Sequence, residues 1–358
     1  MILAGALLAL SLSAAEPPDD AIAGLAKVYD SHPLIFMGEW HRNAQQHAFL
    51  RQLIADPRFL CRTDDIVIES GNARLQPIAD AWASGKEVSE ADLVSMYRDT
   101  EVPFVWNAPM YRQFYEAVRE VNAKRLCPHP VRLVLGDPPL DWAKVETADD
   151  LKKIEDRDQF FAGVVEREVL AKKHRALLIS GSPHALRKFP KRAPGEDGYD
   201  EPSAAQLIEK KHPGSLFLVT LVTTPAAAEM MKMPPPPSFR VLRGTPLANV
   251  DFSIIAPAWT AKPVVVNGKH EWELGNSSAW GKMGEVVDGV LYLGGDETRV
   301  FPSPSIYLEP MYQKELRRRI RIIKAYNGQD FEPVLDDLIK EASGSGKQDA
   351  AASPAKSP

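Results

Sequence analysis

Five stretches of the chain are apolar almost without interruption: LIFM at 34–37, IVI at 66–68, VRLVL at 131–135, LLI at 177–179 and LFLVTL at 216–221. A strand with one wet face alternates apolar and polar side chains, whereas a strand covered on both faces reads as a continuous apolar run. Segments of helical period lie between these runs. Residues 44–54 are amphipathic, and 77–82, 90–97 and 110–124 form a helical insertion between the second and third runs. Residues 151–173 read as one long charged helix and 203–211 as a short one. This alternation predicts an α/β fold with a mainly parallel central sheet flanked by helices and joined by right-handed crossovers.

Beyond Thr224 the pattern loosens. MKMPPPPSF at 231–239 reads as a surface loop of polyproline geometry. A hairpin around Asn267-Gly268, a last strand at 289–293, an arginine-rich helix at 311–326 and a closing helix at 331–341 follow. From 342 to 358 the composition is too small and polar to offset the entropy of ordering, so a disordered tail is expected. The arginines at 317–319 and 321 have acidic neighbours and read as a solvated helix face. One domain spanning 16–341 accounts for everything between the ends.

The first residues change the picture of where the protein works. Residues 2–12 are apolar, small residues stand at 13–15, and prolines and acids follow. This is the length and order of a signal peptide over 1–15, although no Lys or Arg precedes the run. It implies a periplasmic or secreted protein. No later stretch is long and apolar enough to span a bilayer. The two cysteines, Cys61 and Cys127, each stand shortly before a predicted strand. Parallel neighbouring strands would put both thiols at one sheet edge, as a disulfide in an oxidising compartment or as two buried thiols. With 358 residues, 44% hydrophobic and 25% charged, the chain is ordinary globular material. A net charge of −5 gives no basic field for nucleic acid.

In parallel α/β sheets ligands gather beyond the carboxyl ends of the strands. The first run ends in Glu39-Trp40-His41, the second in Glu69-Ser70-Gly71, the third in Gly136-Asp137 and the fourth in Gly181-Ser182-Pro183-His184. Asp288 and Asp296 flank the last strand. Four consecutive strands thus deliver Glu39, His41, Glu69, Asp137 and His184 to one edge, which makes them the candidate catalytic residues. Each also has an ordinary structural reading. Glu39 could favour a helix N-terminus, Glu69 could pair with an arginine, Asp137 could serve a turn, and the histidines could be solvated or packed. His47 stands six positions after His41, a poor spacing for a shared helix face. No Gly-x-Ser-x-Gly elbow and no glycine-rich phosphate loop is present.

These strand ends resemble the erythromycin esterase / ChaN / Tiki superfamily, which includes haem-binding uptake and TraB-like proteins. GEWH at 38–41 followed by a polar helix start, IVIESG at 66–71, Gly136-Asp137 and GSPH at 181–184 carry the resemblance. It is closest to the ChaN-like branch and covers about 34–184. The resemblance implies a parallel sheet of this type and one of two roles. The first is a hydrolase cleaving an ester or peptide bond in a small molecule or peptide. His41, His184 and Glu69 could there hold a divalent metal, Mn, Co, Zn or Fe, with the remaining carboxylate as base. Without a metal, His41 would take a proton from water and Glu69 would orient the imidazole. The second role is a haem- or iron-chelate-binding envelope protein with an axial His or Tyr. Phe104, Trp106, Met110, Tyr111, Tyr97 and Tyr115 in the insertion would then cover the site, or simply pack the insertion.

Overall fold

The computed structural model describes residues 20–189, 201–255, 261–266, 269–274, 280–295 and 298–345. The apolar runs become strands β1 (Leu34–Glu39), β2 (Asp65–Asn72), β3 (Arg132–Asp137), β4 (Ala176–Gly181) and β5 (Leu216–Val222). Further on come β6 (Ser238–Val241), β7 (Ala261–Val266), β8 (Lys269–Leu274) and β9 (Gly289–Tyr292). Seven strands form one sheet in the order β3-β2-β4-β1-β5-β9-β6. All its pairings are parallel except the antiparallel edge pair β6–β9. The predicted α/β architecture is therefore observed.

The continuous apolar runs are explained by two covered faces. Successive side chains of a strand point to opposite sides. Ile35, Met37, Ile66, Ile68, Leu177 and Ile179 pack on one side, with Phe49 and Leu50 of the helix Ala44–Ala55 and Phe114 and Val118 of the helix Pro109–Lys124. Leu34, Phe36, Val67, Val134 and Leu178 face the other side, against Phe160 and Val164 of the helix Arg157–Val164 and Ile208 of the helix Ala204–Lys211. Burying each such side chain contributes about 1.5–3 kcal/mol, so the sheet centre is the rigid platform from which the strand ends project.

Three elements differ from expectation. The charged segment read as a helix over 151–173 breaks after Leu151 and restarts at Arg157, because the Asp156 carboxylate caps the new helix by accepting from the Gln159 N–H. The proline-rich loop ends sooner than expected, since Ser238 and Phe239 belong to β6. Proline lacks a backbone donor and is tolerated next to an edge strand. The closing helix runs Glu332–Ser345, so residues 342–345 of the expected tail are helical. The helix Ala21–Val28, capped by Asp20, gave no clear sequence signal. β7 and β8 pair as the expected hairpin, whose Asn267-Gly268 turn lies outside the described residues, as do the expected leader 1–15 and the tail beyond 345.

Cys61 and Cys127 are joined by a disulfide. β2 and β3 are parallel neighbours, and each cysteine enters its strand from the same edge. Closing a loop across a separation of 66 residues restricts the unfolded chain, a stabilisation of about 4 kcal/mol.

Candidate functional site

β4 lies between β2 and β1, so the strand ends bring Glu69, Gly181 and Glu39 side by side, with Glu39 in register with Gly181. Glu39 is buried. Its Oε1 accepts from His47 Nε2 at 2.8 Å and from the Tyr111 hydroxyl at 2.7 Å. Burial alone would raise the Glu39 pKa. The charges and hydrogen bonds of His47 and His41 outweigh it and hold the carboxyl at about 2, so it is ionised at any ordinary pH.

His41 faces the other oxygen, with Nδ1 3.5 Å from Glu39 Oε2. That is long for a hydrogen bond. The ring stands edge-on to Trp106 with centroids 4.8 Å apart. It lies directly over Gly181, where an added Cβ would come within 2.9 Å of both Cε1 and Nε2. Glycine is needed here because the ring approaches the backbone so closely. Burial pulls the His41 pKa down, but the Glu39 hydrogen bond and charge, together with Glu69, leave it raised above 6.5.

His41 is not on the helix that follows. It sits in a turn closed by the Asn43 N–H to the Trp40 carbonyl at 2.9 Å, and the helix starts afterwards, with Asn43 accepting from the Gln46 N–H. Gln46 pins the turn by donating to the Gly38 carbonyl and accepting from the Trp40 N–H, both at 2.9 Å. Spacing along a helical face therefore does not govern where His47 lies relative to His41. His47 comes back under Glu39 as a site residue.

A second network surrounds Glu69. Its Oε2 accepts from the Ser180 hydroxyl at 2.9 Å and from the Gly181 N–H. Its Oε1 accepts from Arg157 at 2.7 Å and lies 3.4 Å from His184 Nε2. Burial opposes ionisation of Glu69, but Arg157 and His184 hold it well below the usual carboxylate range. The Arg157 guanidinium also donates from Nε to Asp137 Oδ1 at 2.7 Å. Burial pushes Asp137 up to about 6 against the pull of Arg157, with the Glu69 charge adding to the rise. Its Oδ2 is buried without a hydrogen-bond partner. His184 Nδ1 meets Asp158 Oδ1 at 2.8 Å. Burial disfavours its charge, but Glu69 and Asp158 raise it to about 10.

All five candidate catalytic residues are thus at one end of the sheet, in two clusters. Glu69 does pair with an arginine, and the carboxylate at His41 Nδ1 is Glu39, not Glu69. Sequence reading missed Arg157 and Asp158. Arg157 and Asp158 open a helix whose start was misplaced, and nothing local marks them as facing the strands. Of the insertion's aromatics, Tyr111 and Trp106 touch the site, Tyr115 donates to the Ser70 carbonyl, and Tyr97 packs on Tyr115. Asp288 lies at the opposite, amino end of β9, paired with Arg187 at 2.7 Å, and Asp296 lies outside the described residues.

The expected metal set of His41, His184 and Glu69 is not assembled. His184 Nδ1 is engaged by Asp158 at 2.8 Å, and its Nε2 lies 3.4 Å from Glu69 Oε1. Among the described residues no group of three or more His, Cys, Asp or Glu side chains is placed to hold a metal ion. For haem, Tyr111 is a poor axial ligand. Its hydroxyl donates to Glu39 and accepts from the Arg42 N–H, and burial with the Glu39 charge pushes it well above 10. His41, the most exposed of the three imidazoles, is the remaining axial candidate.

No family model matches the chain, and no curated protein matches it. Among solved structures, a crystal structure of a Bacillus cereus protein aligns over 80% of this chain and 96% of its own, at 10% identity and a TM-score of 0.45. A structure of cofacial haem binding to ChaN of Campylobacter jejuni aligns over 56% of this chain and 84% of its own, at 15% identity and a TM-score of 0.36. Both likenesses are too distant to transfer a function, and the wider esterase and Tiki resemblance is carried by neither. No helix among the described residues is long and apolar enough to cross a membrane.

Proposed function

We propose that the protein is an exported hydrolase of ester-like bonds in which His41 is the general base and Glu39 orients it. One observation carries this reading. Of the three imidazoles in the site, His41 alone combines substantial exposure with an Nε2 that no carboxylate engages. Its side chain is 35% exposed, against 4% for His47 and 16% for His184. Glu39, buried and ionised, takes the Nδ1–H and stabilises the imidazolium that forms when Nε2 removes a proton from water. The hydroxide equivalent attacks the acyl carbon, and the imidazolium returns the proton to the leaving oxygen. Trp106 and Gly181 fix the ring plane. The Glu69–Arg157–His184 network ties the ends of β2 and β4 together beneath it. The Cys61–Cys127 disulfide supports an oxidising compartment, in keeping with a leader at 1–15.

A panel of p-nitrophenyl acetate, p-nitrophenyl butyrate and a peptide anilide tests the proposal. Ester turnover above buffer is expected, and it should survive dialysis against EDTA. Loss on chelation with recovery on adding Zn or Mn would restore the metal reading. Absence of turnover together with a Soret band on haem titration would favour the haem-binding alternative.

A further inference from the structure

The residue after the proposed base is in a costly conformation. Arg42 has φ of +67°, in the left-handed region, at the third position of a turn where Gly or Asn is the usual occupant. A long side chain there costs free energy, and such outliers concentrate at functional sites. The backbone around Arg42 is held from both sides. Its N–H donates to the Tyr111 hydroxyl at 3.2 Å, and its carbonyl accepts from the Val300 N–H at 2.9 Å.

The side chain completes the picture. The guanidinium carbon lies 4.6 Å from the centroid of the Phe301 ring, and Phe301 is 60% exposed. Arg42 Nε is buried without a hydrogen-bond acceptor. Among the described residues no carboxylate lies within ion-pair distance of Arg42, although most arginines of the chain have one. An aromatic ring covers a guanidinium's face and leaves its N–H edge for a planar anion. Arg42 as a whole is half-buried, so what a negative group meets is the rest of an unpaired guanidinium carried by the residue next to the base.

We infer that Arg42 binds an anionic group of the substrate, so that the preferred ester carries a carboxylate whose hydrocarbon part rests on Phe301. The inference rests on the hydrolase reading for its substrate class, but its binding test does not. In isothermal titration, phenylacetate should bind at least tenfold tighter than phenylacetamide. Arg42→Gln should abolish that difference, and Arg42→Lys should keep part of it. In kinetics, the ratio of kcat/KM for mono-p-nitrophenyl glutarate over p-nitrophenyl butyrate should exceed ten and fall towards one in Arg42→Gln, mainly through KM. Arg42→Gly removes the left-handed penalty, so its melting temperature should hold while the preference disappears, an outcome a merely structural role would not give. Phenylacetate preference without turnover would keep the anion site and sink the hydrolase. Turnover with no carboxylate preference in either assay would overturn the anion site alone, and failure of both assays would overturn both.

Discussion

His41→Ala lowers kcat/KM for ester hydrolysis by about 10²–10⁴-fold, the range over which a positioned general base contributes, and leaves the thermal unfolding midpoint nearly unchanged. The ring is partly exposed, makes no hydrogen bond shorter than 3.5 Å through Nδ1 and is the outermost member of its cluster. Removing it therefore leaves Glu39 with its bonds to His47 and Tyr111 intact. Kinetics and differential scanning calorimetry on the same preparation check the two halves together. A variant that loses rate only because it unfolds would not support the role.

Glu69→Gln has the opposite signature and is the largest expected loss of stability, about 3–5 kcal/mol, the range for breaking a buried ion pair by removing one partner. The carboxylate stands between Arg157 and His184, and the amide leaves Arg157 to Asp137 and His184 to Asp158, with one buried negative charge fewer between them. The loss depends on pH with a definite sign. Glu69 is depressed below its ordinary 4.5, so its contribution is present above that pH and fades as pH falls. His184 is raised from 6.5 to about 10, so the stability it lends is complete below 6.5 and is lost as pH rises through 10. Denaturant unfolding of wild type and Glu69→Gln should therefore differ most between about pH 4.5 and 6.5, and the difference should shrink towards pH 10 to what the Glu69–Arg157 pair still contributes. An equal difference at pH 6 and pH 10 would remove His184 from the argument.

The parallel strands were legible because burial on two faces leaves a continuous apolar run, and LIFM or LFLVTL has no other ready explanation. Placing the acids and histidines at the carboxyl ends needed only that inference, and Glu39, His41, Glu69, Asp137 and His184 do converge. The partnerships were not legible. Arg157 reaches Glu69 across 88 residues of sequence, and only the packed position of its helix aims it there. That helix start depended on a cap at Asp156, which a long charged segment concealed. His47 was misjudged because the residues before it form a turn pinned by Gln46, a tertiary contact that spacing rules do not contain. Residue types allow a His-His-Glu ligand set, which is not assembled among the described residues, and nothing local marks Asp158 as the partner of one nitrogen of His184.

The central claim is that His41, tuned by Glu39, is the base. The most direct measurement is the pH dependence of kcat/KM for p-nitrophenyl butyrate in wild type and Glu39→Gln. In wild type the rate should rise with pH through a single inflection above 6.5, where His41 loses its proton. In Glu39→Gln the inflection should move down, because the charge that raised it is gone, and the plateau rate should fall. An inflection that stays in place when Glu39 becomes Gln would contradict the account.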